Sequence, residues 1–245
     1  MFDNDFFGIG GLEAKAMDPQ QRILLEVAYE AFENAGLSMD ELRGSQTGVW
    51  CSVSNADYES ILARDPDISP GYRMTGTGNA IVSNRISYLF DLRGPSMTID
   101  TFCSSTLVGL DAAVKSIRAG TVKQAFVGGS NLCLDPERTG VLSSMSFTSP
   151  DGRCYAFDPR ANGYGRGEGV AAVILKPLSA ALADGDSIRA VIRGTGVSSD
   201  GKTNGITLPS DWGQKQALRM AYEDAGLRPQ DTYFVEAHGT YQQRR

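Results

Sequence analysis

The chain is 245 residues long, enough for one large domain or two small ones, and its 41% hydrophobic and 21% charged residues are ordinary for a globular protein. A net charge of -6 without a basic run argues against nucleic acid as the main partner. No apolar stretch approaches the ~18 residues of a membrane span and no basic-then-apolar leader follows Met1, so no membrane partner and a cytoplasmic location are expected.

In chain order, a helix is predicted to open at Asp18-Pro19-Gln20-Gln21, with a capping aspartate, a proline in the first helical position and Gln21 three residues after the cap. It carries Leu24, Val27, Ala28, Ala31 and Ala35 on one face and stops at Gly36. A strand is predicted over 48–53, then a polar loop containing Pro66 and Pro70, then a helix over 78–90. A β-branched run (Thr98, Ile99, Thr101) breaks off at Cys103, after which Leu107, Leu110, Val114 and Ile117 recur at the spacing of one helix face. Further strands are predicted around 124–127 and at 170–175, 187–197 and 232–237, with a helix over 210–225. Alternating strands and helices of these lengths define an α/β layered fold with a mostly parallel sheet.

Cys103 is the residue in this pattern with chemistry to offer. A thiol where a strand gives way to a helix lies near free backbone N–H groups and the positive end of the helix dipole, which favour the thiolate. The same N–H groups suit a developing oxyanion. Nucleophile and small buried apolar residue both remain open for it on context alone, whereas Cys51, Cys133 and Cys154 read as buried apolar residues. The four cysteines show no CxxC spacing, and with a single histidine in the chain a zinc site would need unusual ligands. That histidine, His238, ends the predicted strand Tyr233-Phe234-Val235-Glu236-Ala237, and strand ends are where α/β folds place their chemistry. Together Cys103 and His238 would supply a nucleophile and an imidazole for proton transfer or for hydrogen bonding to a carbonyl.

Two glycine motifs fail on their context. Residues 196–203 spell GVSSDGKT, which fits the phosphate-loop pattern, but Asn204, Gly205 and Pro209 follow where a helix must begin. The series Gly163, Gly165, Gly167, Gly169 leads into a strand rather than a helix and reads as a close-packed turn or backbone wall. An internal echo is also present, because Glu33-Asn34-Ala35-Gly36-Leu37 and Glu223-Asp224-Ala225-Gly226-Leu227 each close a helix before a predicted strand. Helix ends often converge on such letters; the alternative is a duplicated fold whose second copy has just begun when the chain stops.

Several longer blocks carry a family resemblance. DTFCSST at 100–106 resembles the nucleophile motif of β-ketoacyl synthases, and VEAHGT at 235–240 their first histidine motif. The blocks at 17–36, 84–105, 149–178 and 200–207 also resemble the family, and type I polyketide ketosynthases, with a fungal highly reducing synthase as parent, are the nearest match in wording. The resemblance implies a thiolase-like α-β-α-β-α sandwich of two duplicated halves. Residues 1–178 would form the first half, 179–240 the truncated start of the second, and 241–245 a tail outside the family. It implies decarboxylative Claisen condensation in polyketide or fatty acid biosynthesis, with no cofactor bound directly. The substrates are acyl and malonyl thioesters on the phosphopantetheine arm of acyl carrier protein, and the parent is expected to be a homodimer. Cys103 matches the acylated nucleophile, with its own N–H contributing to the oxyanion hole. His238 matches the first of two histidines that promote decarboxylation, and Thr240 a threonine that contacts the pantetheine arm.

The sequence also departs from the family pattern. Phe102 replaces the usual small residue before the nucleophile, Gly10-Gly11 stands where Ser-Pro is usual, and Tyr241 onward leaves the family wording. On these grounds the chain is expected to be a fragment, inactive in condensation by itself. The alternatives are a non-catalytic dimerising module and a thiolase-type acyltransferase.

Overall fold

The fold was obtained as a computed structural model, in which residues 1–65, 67 and 71–239 are described. Pro66 and Pro70 of the predicted polar loop, Thr240 and the tail at 241–245 lie outside the described residues. The chain divides into two compact units. The first comprises Met1–Asp135 with Glu168–Arg189, and the second Pro136–Gly167 with the residues from Ala190 onward.

In chain order the elements are α1 (Gly11–Ala16), α2 (Pro19–Asn34), α3 (Met39–Leu42), β1 (Gly48–Ser52), α4 (Asp57–Ala63), α5 (Arg73–Thr77), α6 (Asn79–Leu89), β2 (Ser96–Ile99), α7 (Ser105–Arg118), β3 (Ala125–Asn131), α8 (Pro136–Ser144), β4 (Gly169–Leu175), α9 (Leu178–Asp184) and α10 (Asp211–Ala225). The strands all belong to the first unit and form one sheet in the order β2-β1-β3-β4. β1 runs parallel to β2 and β3, while β4 is antiparallel to β3.

Period-two alternation sends β1 into two cores at once. Val49 and Cys51 join Leu24, Leu25, Ala28, Phe32, Ile86, Phe90 and Phe126 on the face covered by α2 and α6. Trp50 joins Val127 and Ala113 on the face covered by α7. Every residue of β1 is buried, as a central strand sandwiched between helices requires.

α2 begins as predicted, with the Asp18 carboxylate accepting the Gln20 N–H at 2.8 Å and Pro19 in the first turn. Its buried face differs from the predicted one. Gln21, Leu24, Leu25, Ala28 and Phe32 are buried, while Val27, Ala31 and Ala35 are half-buried, because the aromatic ring of Phe32 packs against Phe90 and Phe126 and turns the helix toward itself. On α7, Leu107 is 70% exposed rather than part of the core; the face against the sheet is Gly109, Ala113 and Val114, with Leu110 and Ile117 half-buried. Gly109 faces the sheet closely, and a Cβ there would make ordinary van der Waals contact with Trp50 and Ile99 at 3.5 and 3.7 Å.

In the second unit α10 opens at Ser210, whose side chain accepts the Gly213 N–H, and closes at Gly226. The strands predicted over 187–197 and 232–237 do not form among the described residues. Both runs have the composition of strands, but a strand exists only where a neighbour takes its backbone hydrogen bonds. The backbone at Gly194 and Gly196 lies instead against α10, where an added Cβ would strike the Ala221 and Ala217 carbonyls at 2.3 and 2.2 Å. The Thr195 N–H goes to the Asp224 carboxylate at 2.9 Å. Tyr233, Phe234 and Val235 are exposed.

The glycine wall is real at Gly163 and Gly165, where a Cβ would meet the Ser149 nitrogen at 2.6 Å and the Gly152 carbonyl oxygen at 2.4 Å, but Gly167 has open space around it. The loop before Gly163 is clamped by Asp158. Its carboxylate accepts from the Arg160 Nε and Nη2 at 3.0 and 2.8 Å and from the Arg160 N–H at 2.8 Å, and the guanidinium lies 4.9 Å from the Tyr155 ring centroid. These bonds from Arg160 hold the Asp158 carboxyl at about 2. Because the folded value is depressed, the clamp is complete above the ordinary carboxylate range and is lost as pH falls through about 2. A carbon-detected NMR titration of Asp158 should therefore show its midpoint near 2; a midpoint near an unperturbed ~3.9 contradicts the clamp.

Candidate active site

The turn between β2 and α7 carries the predicted nucleophile. β2 ends at Ile99, the first helical residue is Ser105 and Ser104 is the cap, so Cys103 sits in a five-residue turn and not at the strand end itself. The thiol residue is exposed, as a nucleophile that must meet a substrate requires. The other cysteines differ. Cys51 is fully buried in β1, where burial pushes its thiol well above the ordinary range, and Cys133 and Cys154 are half-buried.

A ring of short polar bonds fixes this turn. The Asp100 carboxylate accepts the Phe102 N–H at 3.0 Å and the hydroxyl of Ser54, just past β1, at 2.6 Å. The Thr101 N–H donates to the Ser105 Oγ at 2.7 Å, and that hydroxyl in turn donates to the Phe102 carbonyl at 2.6 Å. The Ser105 N–H reaches the same carbonyl at 3.1 Å. Thr101 and Ser104 share a hydroxyl contact at 2.8 Å. Ser105 is itself buried, so the turn is anchored at the foot of α7.

At the centre of this ring Phe102 has φ of 61°, in the left-handed region. A bulky residue there costs on the order of 1–3 kcal/mol and persists only where its surroundings over-determine it. The bonds from Asp100 and Ser105 to both ends of the Phe102 peptide unit are that over-determination. Asp100, Ser54 and Ser105 were not singled out from sequence; the density of hydroxyls around Cys103 in DTFCSST is the signal that would have found them.

The platform beneath the turn is equally constrained. Gln20 donates through Nε2 to the Asn55 carbonyl at 2.9 Å and accepts the Leu132 N–H at 3.2 Å. Buried Asp57 accepts the Leu134 and Asp135 N–H groups at 3.0 and 2.9 Å. The loops leaving β1 and β3 are thus tied to one another at the end of the sheet where Ser54 braces Asp100. Close approach continues at Gly129, where a Cβ would lie 2.6 Å from the Thr106 hydroxyl on α7.

His238 belongs to the second unit. It is exposed and lies on a segment without regular structure instead of ending a strand, and Gly239 after it has φ of 67°. A Cβ at Gly239 would sit 3.0 Å from the Ala156 side chain, so the histidine's segment runs close over the 155–157 loop. Thr240 is outside the described residues. The phosphate-loop lettering at 196–203 shows no helix at Lys202. Among the described residues no cluster of His, Cys, Asp or Glu is arranged to hold a metal ion, and no helix is long and apolar enough to cross a membrane.

A thiol on a braced turn between a parallel strand and a helix is a setting in which covalent nucleophilic chemistry can occur, and the mixed α/β sheet fits a thiolase-like fold. The sequence comparisons give the family. The N-terminal domain of β-ketoacyl synthases matches residues 1–181 and the C-terminal domain residues 189–242, and the chain belongs to the β-ketoacyl synthase family. Over 98% of its length it is 57% identical to a partially reducing polyketide synthase of Menisporopsis theobromae and 59% identical to a highly reducing polyketide synthase of Cordyceps militaris. It spans about 9% of the length of each of these relatives. Among solved structures, the ketosynthase from module 6 of the bacillaene synthase from Bacillus subtilis superposes with a TM-score of 0.90 at 41% identity, covering 98% of this chain and 41% of that one. The ketosynthase resemblance and the thiolase-like fold expected from the sequence are therefore borne out.

Proposed function

We propose that Cys103 accepts an acyl group in thioester linkage and that the chain supplies this nucleophile to decarboxylative carbon–carbon bond formation in polyketide assembly. The observation that carries the reading is the exposed thiol held on a turn braced by Asp100, Ser54 and Ser105. In the first step the Cys103 sulfur attacks the carbonyl of an acyl thioester on a carrier protein's phosphopantetheine arm. A new S–C bond forms, the carrier's S–C bond breaks, and the carrier thiol leaves with the proton lost from Cys103. The Cys103 N–H is the proposed donor to the tetrahedral oxyanion.

In the second step a malonyl-type thioester loses CO2, and its carbanion attacks the Cys103-bound carbonyl and expels the thiolate. His238 is assigned the hydrogen bond that steadies the enolate oxygen as CO2 departs, and Thr240 a contact to the pantetheine arm. The acyl carrier protein is accordingly the proposed partner. A second copy of the chain is proposed to pair along β2, which is one of the two edge strands of the sheet and carries Met97 at 41% exposure. That open edge also favours a second reading, in which the chain serves as a dimerising module without turnover.

The two readings separate on thiol chemistry. A thiol-directed acyl analogue added in small excess should label Cys103 ahead of Cys51, Cys133 and Cys154 in a peptide map. Equal labelling of Cys103 and Cys133 would favour the module.

A further inference from the structure

We propose that Ser105 is a positioning residue, whose side-chain hydroxyl acts through the Phe102 carbonyl to aim the Cys103 N–H at the tetrahedral oxyanion. The inference rests on the reading of Cys103 as the acyl acceptor and of its N–H as the oxyanion donor.

The Phe102 carbonyl accepts two hydrogen bonds from one residue, the Ser105 Oγ–H at 2.6 Å and the Ser105 N–H at 3.1 Å. The Ser105 Oγ itself accepts the Thr101 N–H at 2.7 Å, which leaves its one O–H for the carbonyl. Ser105 is 2% exposed, so this hydroxyl is a buried link and not a surface group that water exchanges freely.

The Phe102 carbonyl and the Cys103 N–H belong to one planar trans peptide unit, in which the two groups point in opposite directions. Whatever holds the carbonyl therefore sets the direction of the N–H. The bond from the Ser105 N–H closes a β-turn over 102–105, with Ser104 at φ of -89° and ψ of -5° in its third position. The hydroxyl is a second restraint on the same oxygen, and a side-chain change removes it alone. Phe102 is where a second restraint matters, because φ of 61° is a conformation that a phenylalanine leaves when its neighbours release it. Rotation of this peptide unit turns the Cys103 N–H while the thiol stays exposed. An oxyanion donor works through a short, directed bond, and misplacement by about 1 Å can cost ~100-fold in rate.

The test compares two reactions of Cys103 in the intact chain, each mapped to its peptide. With butanoyl-N-acetylcysteamine, a bond forms between the Cys103 sulfur and the acyl carbon and the donor's C–S bond breaks. N-acetylcysteamine leaves as the thiol, carrying the proton lost from Cys103. Iodoacetamide alkylates the same sulfur by displacing iodide at a saturated carbon, with the proton lost to water, and no oxyanion forms. The ratio of acylation rate to alkylation rate is the readout, because a change in thiolate content or exposure moves both alike. S105A should lower this ratio by about 10- to 100-fold. S105T, which keeps the hydroxyl but adds a methyl at the same buried place, separates the hydroxyl from packing and should hold the ratio near the parent value. A ratio unchanged in S105A, or lowered as far in S105T as in S105A, overturns this inference alone. Absence of Cys103 acylation in the parent chain, with alkylation intact, overturns the inference together with the reading on which it rests.

Discussion

Replacing Cys103 by alanine is expected to abolish covalent acylation of the chain by thioester donors. Removing the nucleophile of a covalent catalyst costs up to about 10^6-fold, and the other thiols offer no substitute. Cys51 is sealed in β1 and held protonated by burial. Cys133 and Cys154 are half-buried and sit outside the turn. Uptake of acyl groups, followed by intact mass, should therefore fall at least about 1000-fold in C103A and not in C133A or C154A. Stability should change little, since position 103 is exposed and contributes no buried side chain. Acylation of C103A at a rate close to that of the parent would remove Cys103 from the chemistry.

The second large effect is structural and lies away from the thiol. Arg85 on α6 is 8% exposed, with its guanidinium spread over three elements. Nε donates to the Gln21 side chain at 3.0 Å, Nη1 to the Glu13 carboxylate at 2.7 Å, and Nη2 to the Thr75 carbonyl at 3.0 Å. One planar group thus joins α1, α2 and the middle of α5 to α6, the helix that packs on β1 and β2. Arg85→Ala leaves three polar groups without their partner, one of them the Glu13 carboxylate, and breaking such a pair costs about 3–5 kcal/mol. That is a large share of a typical folding free energy of about 5–15 kcal/mol. The urea midpoint of R85A should fall accordingly. R85K should recover only part of it, because one ammonium cannot replace a planar fork of donors. A loss below about 1 kcal/mol in R85A would mean that the network is satisfied by water and holds nothing together.

Much of this fold was legible in the sequence where local chemistry decides it. The Asp18 cap, Pro19 and Gly36 delimit α2, Ser210 and Gly226 delimit α10, and the apolar runs of β1 and β4 fall where expected. The repeated Ala-Gly-Leu ending has a local cause visible in both copies. Gly36 and Gly226 adopt φ of 74° and 63°, and Leu37 and Leu227 return their N–H groups to Phe32 and Tyr222 at 3.0 and 3.1 Å. The shared letters are those that this helix cap demands.

What was not legible depends on partners distant in sequence. The runs at 187–197 and 232–237 have strand composition, yet ladder pairing is a property of two segments and not of one. Leu107 follows the helical period of α7 but lies on the turn nearest Cys103, beyond the reach of the sheet, and is exposed. Phe102 is the sharpest case. No propensity places a phenylalanine in the left-handed region, and the bonds from Asp100 and Ser105 hold it there. At the site, Cys103 was found from its position before a helix, while the residues that hold it were hidden because hydroxyls and carboxylates near a turn have many ordinary uses.

Acyl transfer from a phosphopantetheine thioester, followed by peptide mapping, tests the central claim most directly. The chain should gain one acyl group, released by hydroxylamine as expected of a thioester, on the peptide that contains Cys103. Acylation shared among Cys103, Cys133 and Cys154, or none at all with the Cys103 thiol still open to alkylation, would contradict it.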